Sequence, residues 1–263
     1  MIIDAHAHVH PDAAGLGAGQ DASVERFLAE LDASPLDRIV LLPIDPVIPN
    51  EFIFETAKLR PDKIICFGSA DPNRGRTAVE LLERLAAEHS IRGLKLHPRR
   101  QHFSGKDFEA VRCLVERAAD LSLPVLIDAF PYGRGALKDD TLELIEALSE
   151  AVPKAALIIA HMGGVRILDA LILARTSYTI YLDLSLIYPV YRGSHIEQDI
   201  FYAIRRIGPE RCIYGSDYPD VALGPAYAGM REALDAHGFS SSDQDWIFGK
   251  TAAHVLRLEG AEQ

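Results

Sequence analysis

The sequence is short of cysteine. It has three in 263 residues, Cys66, Cys113 and Cys212, with no CxxC pair among them. An odd number at such wide spacing argues against a disulfide framework and fits a reducing compartment. No apolar run reaches the roughly eighteen residues of a membrane span, and no charged-then-apolar leader is visible. A cytoplasmic protein is expected, without a membrane partner. A basic stripe is also missing. The formal net charge is −11, and phosphate backbones are bound by clustered Lys and Arg, so nucleic acid is not an expected partner. The pair Arg99-Arg100 suffices only for one small anion. No GxGxxG follows the first apolar run. The Gly-rich "AAGLGAGQ" (Ala13–Gln20) lacks a GK[ST] ending, so it reads as a loop and not as a phosphate cradle. There is no repeat of fixed period and no low-complexity segment.

What is present is a pattern of alternation. Hydrophobic residues make up 48% of the chain, and 263 residues lie near the upper limit for one core, so a single domain over residues 1–263 is expected. Eight short apolar runs recur: "MIIDAH", "RIVLLP", "KIICFGSA", "IRGLKLH", "PVLIDAF", "ALIIAHM", "TIYLDLS" and "CIYGSD". Most are continuous rather than alternating, as in parallel strands buried on both faces. Between them the period becomes helical, at Val79, Leu82, Leu85 and Ala86, at Phe108, Val111, Leu114, Val115 and Ala118, and at Leu142, Ile145 and Leu148. An amphipathic stretch from Asp243 to Leu258 closes the pattern. Eight β units with intervening helices give an α/β fold, a (β/α)8 TIM barrel. A doubly wound open sheet is the competitor.

In such barrels chemistry gathers at the C-terminal strand ends. The first run ends in His6 and His8, which share a face because strand side chains repeat every two residues. The second and third are followed by Asp45 and Asp71. The fourth ends in Lys95 and His97, then Arg99 and Arg100. Asp128, His161, Asp183 with Ser185, and Asp217 stand at the ends of the remaining four. Taken singly, each reads more simply as a turn-former or a solvated residue. Taken together they interrupt apolar runs at one rim, and His6 with His8 has the spacing of two metal ligands.

The segments "DAHAHVH", "GLKLHP", "IIAHMGG" and "YGSDYP" resemble, in order, the motifs of the amidohydrolase superfamily. The similar branch is the amidohydrolase-related metal-dependent hydrolases, which include aminocarboxymuconate semialdehyde decarboxylase. The resemblance implies a distorted barrel with one divalent metal at the rim, Zn2+ first, with Mn2+ or Mg2+ as alternatives. His6 and His8 match the first-strand ligands. Asp217 matches the last-strand carboxylate that touches the metal or its water. His161 matches the histidine that assists the water or polarises the substrate. One position departs: relatives commonly carry a metal-binding His where this chain has Asp128 in "PVLIDAF". Asp128 would complete a set of two nitrogens and two oxygens, a harder site than a His-rich one. The other reading is a site that has lost its metal.

The implied activity is hydrolysis of a small ester, lactone or amide carrying a carboxylate. Asp217 and His161 would be the catalytic groups. Lys95, His97, Arg99 and Arg100 would hold the carboxylate, and Tyr132 and Arg134 would cover the site. Non-oxidative decarboxylation of an unsaturated or aromatic acid is the alternative. A non-catalytic barrel that binds a small acid is the second alternative, and Asp128 is its support. A homodimer is compatible with this fold type, but the lone Trp246 does not argue for an interface.

Overall fold

The computed structural model describes residues 1–13 and 21–258. Most of the Gly-rich stretch, residues 14–20, lies outside the described residues.

Among the described residues, nine strand segments form the inner ring: β1 (Ile3–Ala7), β2 (Arg38–Leu41), β3 (Ile64–Cys66), β4 (Gly68–Ser69), β5 (Leu94–Leu96), β6 (Val125–Ile127), β7 (Leu157–Ile159), β8 (Ile180–Asp183) and β9 (Cys212–Ile213). All pair in parallel, as β1-β2-β3 and as β4 through β9 in sequence order. β3 and β4 are one barrel stave interrupted at Phe67, so the eight expected staves are present. The ring closes between its last and first strands. Ala5 N–H donates to Tyr214 O (3.0 Å), Asp217 N–H to His6 O (2.8 Å) and His8 N–H to Tyr218 O (2.7 Å).

Strand alternation splits the apolar residues into two cores. Ile3, Ala5, Val40, Leu42, Ile65, Phe67, Leu126, Ile158 and Ile213 fill the barrel, together with Ala252, Val255 and Leu258 from the end of the chain. Residues of opposite parity, such as Ile39, Leu41, Leu94, Leu96 and Val125, meet the helices instead. Gly93 matters to the inner core. A Cβ there would stand 2.3 Å from the Phe67 ring, so glycine gives that ring its place.

The helical spacing read from the sequence faces this outer core. Phe108–Asp120 buries Val111, Leu114, Val115 and Ala118, and Thr141–Ala151 buries Leu142, Ile145 and Leu148. Arg76–His89 buries Leu82 and Leu85, while Val79 and Ala86 are only partly covered. The closing stretch is helical at Ser241–Asp245 and Thr251–Val255, joined by a π-helical turn at Trp246–Lys250. Among the described residues no helix is long and apolar enough to cross a membrane.

Candidate functional site

The polar strand ends converge because each strand is short and all run the same way. His6, His8, Lys95, His97, Asp128, His161, Asp183, Ser185 and Asp217 are all buried. His6 Nε2 lies 3.3 Å from Asp217 Oδ1, and His8 Nε2 lies 3.8 Å from the same oxygen. The His6 and His161 ring centroids are 4.8 Å apart. Three strand-end residues, His161, Leu186 and Asp217, hold left-handed backbone at φ 55°, 60° and 60°. For non-glycine residues this is strained, and such strain collects at functional sites.

Each imidazole is aimed by its second nitrogen. His6 Nδ1 is 2.8 Å from Asp183 Oδ2, His8 Nδ1 is 2.9 Å from Leu42 O, and His161 Nδ1 is 3.0 Å from Ser185 O. The oxygens of Leu42 and Ser185 are carbonyl acceptors, so those Nδ1 atoms carry the proton and Nε2 turns inward. Asp183 gathers the cluster. Besides His6 it accepts from Ser185 Oγ (2.5 Å) and from the His161 backbone N–H (3.3 Å). Asp4 supports β1 from below, accepting from the N–H groups of His6 and Ser216.

The electrostatics follow from burial. Burial, reinforced by the Lys95 ammonium, lowers His6 to about 4, and burial, with Lys95 and Arg100 adding to it against Asp128, lowers His97 to about 3. Both are neutral imidazoles at pH 7. His161 goes the other way. Burial opposes its charge, but the carboxylates of Asp217, Asp128 and Asp183 outweigh it and raise the group to about 9. Burial raises Asp217 to about 7, with His161 and Lys95 opposing. Burial also pushes Asp183 upward, yet His6, His161 and Ser185 hold it below the usual carboxylate range.

These residues fit a cation. His6, His161 and Asp217 each offer a ligand atom, all within 4.8 Å of one another. His6 Nε2 is buried and has no hydrogen-bond partner. A buried, unpartnered nitrogen beside a carboxylate is costly unless something cationic lies between them. The set differs from the one expected from sequence. His161 belongs to the compact group, and Asp128 and His8 do not. Asp128 Oδ2 turns to His161 Nε2 at 3.2 Å and His97 Nε2 at 3.8 Å, because two imidazoles compete for it.

A cavity of about 250 Å³ opens above. His8, His97, Arg100, Asp128, Tyr132, His161 and Asp217 line it, and Phe130, Leu186, Pro219 and Asp220 complete the wall. The remaining expected substrate contacts lie elsewhere. Lys95 is fully buried, its Nζ unpartnered and away from the cavity wall, in the field of Asp128, Asp217 and Asp183. The Arg99 guanidinium stacks 3.3 Å over the Tyr132 ring. Arg134 is exposed outside the wall. Asp183, Ser185 and Phe130 received no role from the sequence. The spacing Asp-x-Ser at a strand end was the available signal for the first two.

The amidohydrolase family model matches residues 3–258. The chain belongs to the amidohydrolase family. None of the curated proteins matches it. Among solved structures, this amidohydrolase resembles an uncharacterized TIM-barrel protein from Bordetella bronchiseptica, with TM-score 0.79 and 18% identity over 97% of this chain and 98% of that one. It resembles a probable 2-pyrone-4,6-dicarboxylic acid hydrolase from Acinetobacter baumannii with citric acid bound, with TM-score 0.70 and 17% identity over 97% and 99%. A dihydroxybenzoic acid decarboxylase from Polaromonas sp. JS666, with bound manganese and 2-nitroresorcinol, is similar at TM-score 0.69 and 16% identity over 98% and 97%. At these identities the likeness is one of fold.

Proposed function

We propose that this amidohydrolase is a metal-dependent hydrolase of a small ester, lactone or amide that carries a carboxylate. What supports it is the convergence of His6, His161 and Asp217 on one buried point beneath a cavity with a cationic wall residue, Arg100. His6 and His8, through Nε2, and Asp217 would hold a divalent ion, while His161, paired with Asp128, stands beside it as a charged neighbour. Zinc is the first assignment. Manganese, as held by the Polaromonas protein, is the second, since carboxylate donors suit harder ions.

Such an ion supplies Lewis-acid polarisation of the reacting carbonyl and makes an attacking water more acidic. The chain's own groups do the rest. Asp217 faces both first-strand imidazoles, where it accepts the proton of the attacking water and returns it to the leaving group. His161, held by Ser185 and Asp128, steadies the oxygen on which charge develops. Arg100 pairs with the substrate carboxylate. Phe130 and Tyr132 cover the substrate body and keep water out.

A decarboxylase is the second reading, and one contact favours it. The His161 imidazolium lies against Asp128 in the cavity wall, placed to protonate a carbon as CO2 leaves. The experiment separates the two. The zinc- and manganese-loaded protein is incubated with lactones, esters, amides and hydroxybenzoates while acid and CO2 release are followed. Acid release without CO2 is expected. CO2 release would establish decarboxylation instead. No turnover and no retained metal would leave a non-catalytic barrel.

A further inference from the structure

A second cavity, of about 180 Å³, lies beside the first. It is framed by the chain after β8, the chain after β9 and the helix Leu223–Ala236. Its wall is apolar, with Leu184, Tyr188, Val221, Ala226 and Met230 among the lining residues. None of the histidines or aspartates of the reaction site reaches it. Leu186 is the residue common to both cavities.

Two features say what it would hold. The first is size. A buried apolar cavity of about 150 Å³ is enough to take up benzene, so one six-membered ring fits here. The room exists where a side chain is missing, since a Cβ on Gly229, in the lining, would meet nothing within 4 Å. The second is charge. Arg192 is the one charged residue in the lining, is exposed, and lies 5.8 Å over the ring of Tyr188 in the same wall. An oily pocket with a single guanidinium, held over an aromatic ring at its edge, suits an amphipathic anion.

We propose that this cavity is a second binding site, distinct from the reaction site, for a small aryl carboxylic acid. The ring lies against Met230 and Gly229, and the carboxylate meets Arg192. The assignment holds whichever reaction the first cavity performs.

The chain carries three methionines, Met1, Met162 and Met230, which makes methyl-labelled methionine a positional probe. Met230 lines the second cavity, Met162 is buried next to His161, and Met1 is 58% exposed. Phenylacetate titrated into the metal-loaded protein should shift the Met230 methyl signal saturably and leave Met1 unmoved. Gly229→Leu, whose side chain enters free space, should abolish the shift, and Gly229→Ala should keep it. Arg192→Gln should weaken binding about two- to fivefold, the worth of one exposed ion pair. A Met230 signal that stays still, or moves equally in Gly229→Leu, overturns the proposal. So does binding that Gly229→Leu leaves intact and Arg100→Gln abolishes, which would put the acid in the reaction cavity.

Discussion

Nδ1 of His6 lies 2.8 Å from Oδ2 of Asp183, at the heart of the buried rim. The contact fixes which nitrogen of His6 carries the proton and leaves Nε2 free to face Asp217. Support of this kind around a metal ligand is typically worth about 10–100-fold in metal affinity. Asp183→Asn should lower zinc affinity by that amount, measured by competition with a chromophoric chelator. An unchanged affinity would mean that His6 is not a ligand.

The first-strand pair gives the sharpest test of the centre itself. His6→Ala with His8→Ala should purify without bound metal by elemental analysis, while its far-ultraviolet circular dichroism stays that of a barrel. Full metal content in the double variant would remove the assignment.

Gly215 lets three elements meet. A Cβ there would stand 2.6 Å from His6 Cβ and 3.0 Å from both Asp183 Oδ1 and Ser185 Cβ. Overpacking of this kind costs about 1–3 kcal/mol. Gly215→Ala should lower the urea midpoint accordingly. Because the pressure falls on His6 and Asp183, it should also weaken metal binding. Loss of stability with metal affinity intact would show that the strain relaxes away from the centre.

Arg211 is a stability device far from the chemistry. Its guanidinium donates to the carbonyl oxygens of Ala174 (3.0 Å), Ser177 (2.7 Å) and Ile180 (2.9 Å from Nε), tying the turn before β8 to β9. Arg211→Met leaves buried carbonyls unpaired and should cost about 2–4 kcal/mol in chemical denaturation. Metal affinity should not change.

The barrel was legible because it rests on local rules. Strand parity puts His6 with His8, and helical spacing puts Val111 with Leu114 and Val115. The split of the third stave at Phe67 was not, since it depends on the space that Gly93 leaves for the ring. Asp183 could be placed at the rim but not given a role, because its imidazole partner is 177 positions earlier in the chain. Parity paired Lys95 with His97 at one strand end, yet whether a cation there reaches a cavity or is enclosed by carboxylates is a tertiary matter. The same holds for Arg99. An adjacent Tyr132 captures it, and no spacing rule brings together residues from the loops after β5 and β6.

The hydrogen bond from Asp217 N–H to His6 O fastens the last strand to the first at the point where both supply a candidate ligand. Circularising the ring and bringing these two candidate ligands together are therefore one event. A polypeptide emerging from the ribosome lacks the candidate seat until Asp217, just beyond β9, has been made, and opening that seam would part the two candidate ligands.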